Sequence, residues 1–474
     1  MTPDTLSYFV ALAAVWLLVQ SVHSPRARLT ILLIASYLFY ASWGLVFLGI
    51  LIASTLINFV LSHFVRANPT ASRLWLAIGA NLLLLAFFKY LPPLAEGAES
   101  VSKWSGWIAR IAMPVGISFW TFEALSYLFD VYRGDDTDAS LLEFSLYMAF
   151  WPTVLSGPVC RIPEMLPQFR EARSPSWEDL RTGTHRIIIG LFMKCVLAQV
   201  LNAGIQSGQG VAFGFDRVAG GWGGTDVLFL AIGYGFQLFF DFAGYSHIVI
   251  GSARLFGITL SENFDRPYLS TTPSIFWTRW HMSLSFWIRD YVFLPMATMR
   301  RDLLWRNFAL FASMVVFGLW HAATLPLIAW GAYQGLLLVI HRQVQSARKA
   351  MRLAIPSLLD ILLSWALTFL SVSLGWILFR AHDLHQATAM FHALIKPRSY
   401  LHPILRPDFF IITAFTIAAY FAVALAEPFV IRTNLLTPGI RRGFWLLSPL
   451  YYAAALFFVI VWSRQETLFV YFQF

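Results

Sequence analysis

Apolar runs of roughly twenty residues, each long enough to cross a bilayer as a helix, recur from one end of this 474-residue chain to the other. They lie near 7–22, 29–65, 74–94, 111–132, 141–159, 184–205, 226–257, 274–298, 305–341, 357–379, 408–427 and 444–463. Two of them, 29–65 and 305–341, have room for two passes each, and Ser42-Trp43-Gly44 is the expected break in the first. The expected fold is an all-α integral membrane protein with about 11 transmembrane helices, plus re-entrant or interfacial helices where Pro and Gly interrupt the runs. No soluble domain can be cut out. The reading is one polytopic unit over 1–474, with peripheral N-terminal helices over about 1–94, a core over about 111–342, and C-terminal helices and a tail over about 357–474.

Composition supports this. Hydrophobic residues make up 58% of the chain and charged residues 12%, against about 25% charged in soluble domains. The net charge of +9 does not point to nucleic acid, because the basic residues fall in short breaks between apolar runs instead of on one surface or tail. They read as topology signals. Loops 23–28, 66–73, 341–352 and 431–443 are expected in the cytoplasm and the N-terminus outside. Cys160 and Cys195 are the only cysteines; with no C-x-x-C spacing for zinc or redox chemistry, both read as small apolar residues and no metal is expected. The apolar stretch at 7–22 has no basic residue before it and no A-x-A site after it, so it reads as a retained helix and not a signal peptide.

The interruptions carry information. Pro114 and Gly116 open the stretch 113–134, and Pro152, Gly157 and Pro158 punctuate 150–161. Irregular backbone at membrane depth survives only where protein buries it or where it borders a watery cavity, so these segments are expected to line a pit or tunnel. No internal repeat of the kind that marks many secondary transporters is evident.

Polar residues inside apolar runs are the candidates for chemistry. In "FWTRWHMSLSFWIRDY" (276–291), helical spacing puts Trp277, His281 and Ser285 on one face, with Arg289 a turn further on. This is either a polar stripe with a role inside the protein or an amphipathic segment in the membrane interface. His321 stands in "FASMVVFGLWHAATLPLIAWGAYQG" (311–335), far in sequence from any other ionisable side chain. A neutral imidazole there suits a general base acting on a hydroxyl, and it equally suits a helix-packing histidine bonded to a carbonyl. Asp241 is a lone carboxylate in an apolar run, fit to orient a histidine, bind an Arg or form a structural ion pair. The stretch 261–277 reads as a polar loop, for whose Asn263, Asp265 and Arg266 plain solvation is one of the open alternatives. There is no G-x-S-x-G elbow, H-E-x-x-H helix, Walker loop or Rossmann glycine pattern, which argues against ATP-driven transport.

Five long stretches follow one another in a telling order: "MPVGISFWTFEALSYLFDVYRG", "SGPVCRIPEMLPQF", "FFDFAGYSHIVIGSARLFGITLSENFDRPYLS", "SIFWTRWHMSLSFWIRDYVFLP" and "FGLWHAATLPLIAWGAYQGLLL". The set resembles the membrane-bound O-acyltransferases, most closely their bacterial alginate O-acetyltransferase branch, which is related to the D-alanyl transfer proteins of teichoic acid modification. It covers the chain from about Leu29 to the end. The resemblance implies a ring of helices around a central funnel or tunnel, in which an acyl group from a cytoplasmic thioester reaches an acceptor on the other side. Acetyl-CoA or another acyl thioester is then the donor substrate, with no permanently bound cofactor. It places the family's in-membrane histidine on His321 and its second histidine on His281. Trp280, Ser285, Arg289, Asp290, Asp241, Asn263 and Trp320 are the expected tunnel-lining or substrate-binding set.

It further implies a cell-surface polysaccharide as acceptor, a periplasmic partner of the SGNH hydrolase type, and a place in the bacterial inner membrane. Relatives usually follow the Arg-Asp-Tyr motif with a Leu-Gly-Gly turn, whereas this chain reads "LPMATMRRD" (294–302), which permits less of a tight turn or close approach. The tail "FVYFQF" (469–474) resembles the end of this branch, making Tyr471 a candidate acyl carrier; the alternative is an aromatic anchor at the interface. Two rival readings are a transporter or flippase for a lipid-linked sugar, and a non-catalytic scaffold of a polysaccharide machine.

Overall fold

A computed structural model describes residues 1–96, 108, 110–135, 138–204, 210–216, 221–351, 357–436 and 438–462, with 96 and 427–448 described by their backbone alone. Among the described residues the chain is helical, and its β pairing is one isolated bridge between Phe264 and Trp280. It divides into two compact units, residues 1–187 with 245–262, and residues 188–244 with 263–474.

The first unit contains α1 (Leu6–Gln20), α2 (Pro25–Ala41), α3 (Leu45–Ala67), α4 (Ala71–Lys89), α5 (Ile117–Arg133) and α6 (Leu141–Ala149). Two long helices, α7 (Trp177–Ala203) and α8 (Gly224–Arg254), contribute to both units. The second unit adds α9 (Pro273–Trp277), α10 (Met282–Ile288), α11 (Leu303–His321), α12 (Leu325–Ala350), α13 (Ser357–Arg380), α14 (Pro407–Leu436) and α15 (Pro438–Trp462). Shorter helical pieces lie between them.

The long apolar runs did become helices, and the break at Ser42–Gly44 falls between α2 and α3 as expected. Among the described residues seven helices are long and apolar enough to cross a membrane: α3, α4, α7, α8, α11, α13 and residues 407–426 of α14. That is fewer than the expected eleven or so. Runs 141–159 and 274–298 are broken by Pro or by left-handed backbone into helices of nine residues or fewer, and 111–132 yields the 17-residue α5 after the expected break at Pro114 and Gly116. In 141–159 the cut falls at Phe150, just before Trp151-Pro152.

In the first unit the interruptions are close-packed. Gly116 has φ 78°, and a Cβ there would stand 2.1 Å from the Val154 carbonyl oxygen, so only glycine lets the start of α5 lie against that segment. Between α3 and α4, Asn58 and Asn81 exchange amide hydrogen bonds of 3.0 and 2.7 Å, while each Nδ2 also donates to a carbonyl on its own helix. Asp179, at the start of α7, accepts from Arg173 at 2.5 Å and lies 2.7 Å from Arg254. These buried polar groups are answered by protein, as hydrocarbon requires.

In the second unit α11 and α12 form an antiparallel pair with backbones in contact. A Cβ on Gly318 would meet the Leu327 oxygen at 2.3 Å, and one on Gly331 would meet the Met314 oxygen at 2.4 Å. Small residues at these positions let two helices approach closely, the usual device where lipid supplies no hydrophobic drive. Most of α8 faces protein: 83% of its most apolar window is buried, against 28–39% for the other six spans. Its nearly continuous apolar surface is therefore core and not lipid contact.

Candidate functional site

The segment that contains His281 is not one helix. After α9 the chain turns at Thr278–Trp280, and His281 takes the left-handed conformation, φ 45°, before α10 begins. The expected stripe of Trp277, His281, Ser285 and Arg289 on one face is therefore wrong, because helical spacing does not carry across a left-handed residue. Non-glycine residues adopt this region at a cost of about 1 kcal/mol or more and hold it only where surroundings over-determine it. Here the surroundings are a short antiparallel contact. Met282 N donates to the Asn263 oxygen at 2.9 Å, Asp265 N donates to the Arg279 oxygen at 3.0 Å, and Phe264 pairs with Trp280.

Of the two readings open for Asn263, solvated loop residue or part of the interior set, burial excludes the first: it is fully buried. Its Oδ1 accepts from Ser283 Oγ at 2.6 Å and lies 3.4 Å from His281 Nδ1. The polar loop 261–277 thus folds inward at Asn263, while Asp265 and Arg266 pair with each other at 3.0 Å in partial exposure. His281 is also fully buried, its ring edge-on to Phe242 at 4.6 Å. Ser285 uses its hydroxyl on the Trp280 carbonyl, at 2.9 Å. Arg289 is exposed, pairs with Asp290 at 2.6 Å and lies over Phe286. The structure does not gather Ser285, Arg289 and Asp290 around His281.

The partner of Asp241 is a lysine. The carboxylate accepts from Lys194 Nζ at 2.5 Å, with both side chains buried. Lys194 lies in the wide π-helical stretch Met193–Ala198 of α7, and such bulges shift side chains relative to a regular helix. The ion-pair alternative for Asp241 is the one realised. Cys160 and Cys195 are both buried and outside any disulfide among the described residues.

His321 ends α11, where Ala322 turns extended ahead of the Pro326 that opens α12. It is 2% exposed and boxed by rings: Phe317 stacked at 5.2 Å, Trp320 at 4.7 Å, Trp330 edge-on at 5.4 Å and Phe379 edge-on at 4.9 Å. The box continues. Trp330 stacks on Trp376 at 6.2 Å, and Trp376 lies 4.9 Å from Trp280, the residue before His281. Trp277 joins from α9, 5.9 Å from Trp330. One aromatic cluster thus links the two histidines through Trp280, Trp376 and Trp330. Sequence reading found Trp280 and Trp320 but missed Trp330, Trp376 and Phe379, since a tryptophan in an apolar run looks the same whether it lines a site or fills a core. Tyr471 lies outside the described residues.

What this geometry defines is a multi-pass helical membrane protein with two buried histidines joined by a tryptophan-rich interior. The profile of the membrane-bound O-acyltransferase family matches residues 5–379, and the chain belongs to that family. It is similar to the probable alginate O-acetylase AlgI of Pseudomonas putida, at 34% identity over 78% of this chain and 75% of that one. It is also similar to the peptidoglycan O-acetyltransferase of Helicobacter pylori, at 29% identity over 77% and 73% of the two chains. A third relative, the teichoic acid D-alanyltransferase of Streptococcus thermophilus, is 34% identical over 48% of this chain and 56% of its own. The protein is therefore an acyltransferase enzyme of the membrane, and the transporter and scaffold readings give way to it.

Proposed function

We propose that this enzyme moves an acetyl group, or a similar small acyl group, from a thioester on the cytoplasmic side to a hydroxyl acceptor, for O-acetylation of a cell-surface polysaccharide. The observation that carries this reading is His321 itself, an imidazole walled by aromatic rings deep in an acyltransferase chain. His321 takes the proton from the attacking hydroxyl; the oxygen bonds to the thioester carbonyl carbon; the carbon–sulfur bond breaks and the thiolate leaves with that proton. One ester and one thiol replace one alcohol and one thioester. A dry aromatic wall strengthens each electrostatic contact made there.

His281 and Trp280 sit at the other end of the cluster, where the bond network through Asn263 and Ser283 fixes the loop. In this reading they position the thioester or steady the developing oxyanion. The names of the relatives support acetyl transfer to a glycan. A funnel between the helices, a place in the bacterial inner membrane, a periplasmic SGNH-type partner that completes delivery, and Tyr471 as a transient acyl ester belong to the same proposal. The test is the purified protein with labelled acetyl-CoA: label is expected to move to protein or glycan with wild type and to stay on CoA with His321→Ala. Wild-type turnover by a folded His321→Ala protein would remove the base from the mechanism.

A further inference from the structure

The aromatic cluster has a polar seam. Trp330 and Gln334 are four residues apart on α12, hence on one face, and both are fully buried. Neither the Trp330 indole Nε1 nor the Gln334 Nε2 or Oε1 has a hydrogen-bond partner among the described residues. A carboxamide carries two donors and an acceptor, and leaving all of them unmet in a protein interior is costly enough that native structures rarely do so. Space is kept for this amide. A methyl group added at Gly375 on α13 would stand 2.6 Å from Gln334 Nε2. The adjoining Trp376, stacked on Trp330, likewise borders a glycine: a Cβ at Gly235 would lie 2.6 Å from its Nε1 and 2.8 Å from the Tyr268 hydroxyl.

We infer that Gln334 is a binding residue for the donor arm, pairing its amide with a secondary amide of a pantetheine chain. The inference rests on the proposed thioester donor. A free N–H and a free C=O on one planar group match a peptide-like amide reciprocally, and pantetheine carries two such amides behind its sulfur. In an extended arm these stand roughly 5 Å and roughly 10 Å from the thioester carbon. The Trp330 ring is 5.4 Å from that of His321, and Gln334 is one helical turn beyond Trp330, about 6 Å on. With the thioester at His321, the distal amide reaches Gln334. The Trp330 N–H between them is left to donate to the arm. Coenzyme A and an acyl carrier protein present the same arm, so this subsite serves either source.

The experiment compares donors on wild type and Gln334→Met. S-acetylpantetheine has both amides, whereas S-acetyl-N-acetylcysteamine keeps only the one nearer sulfur. The expected result is a KM for S-acetylpantetheine raised roughly tenfold, one hydrogen-bonding group's worth, with kcat little changed and the KM for the short donor unaffected. An equal rise for both donors marks a structural role and overturns the assignment, as does no rise for either. Acetyl-CoA and an acetyl-loaded carrier protein, run in parallel, tell which source is used. Should wild type turn over none of these thioesters, it is the donor reading that fails, a distinct outcome. Gln334→Asn with unreactive pantetheine provides a second readout: pantetheine is expected to raise the Tm of wild type more than that of the variant, and equal shifts, or none in wild type, overturn the proposal.

Discussion

Two buried amide sites make an instructive contrast. In the first unit Asn58 and Asn81 satisfy each other across α3 and α4, and their remaining donors go to helix carbonyls. In the second, Gln334 is as deeply buried, with no hydrogen-bond partner among the described residues on either end of its amide. The same functional group therefore serves two ends. Where it is answered by protein it clamps helices together, and where it is left open beside a candidate base it offers itself to something that arrives. The contrast predicts that damage to the first kind of site shows up as instability and damage to the second as lost chemistry.

The sharpest way to break the contrast is at His321. His321→Ala is expected to lower acyl transfer by about 10²–10⁴-fold, the usual worth of a general base, while detergent-solubilised protein keeps its Tm. A large fall in Tm would make the histidine a packing residue. Next comes the ion pair between Lys194 and Asp241. Lys194→Met takes the cation away from a buried carboxylate and is expected to cost about 3–5 kcal/mol, with Lys194→Met/Asp241→Leu recovering much of it in thermal unfolding. If the double variant is no better than the single, the pair is not the reason for the loss.

At the amide clamp, Asn58→Leu is expected to destabilise by about 1–3 kcal/mol and to leave the KM of the surviving enzyme unchanged. A shifted KM would blur the distinction between the two sites. The smallest effect belongs to Ser283→Ala, which removes one hydrogen bond to Asn263. The expected cost is about 1 kcal/mol, and a kcat that falls with unchanged stability would show that the His281 loop needs this bond for its alignment.

Long apolar runs were readable because the bilayer sets their length, and α11 and α12 emerged with the break between them. The failures have one cause. Residues 274–298 look continuous by hydropathy, yet Trp280 and His281 turn the chain out of helical register, and nothing in the identity of a histidine announces a positive φ. The burial of Asn263 was open for the same reason, since its neighbours are polar and its burial depends on pairing with residues 279–282. Lys194 was open to detection: it is the one Lys or Arg between Arg186 and Arg217, as Asp241 is the one carboxylate between Asp226 and Glu262, and two such isolated charges in apolar runs make natural partners. The unmet amide of Gln334 was beyond reach, because what marks it is the absence of neighbours in three dimensions.

The paired glycines at Gly318 and Gly331 have a mechanical corollary. With main chains in contact, α11 and α12 behave as one stiff beam, so His321 travels only if the whole beam does. A long, flexible donor then has to bend to the histidine, not the histidine to the donor.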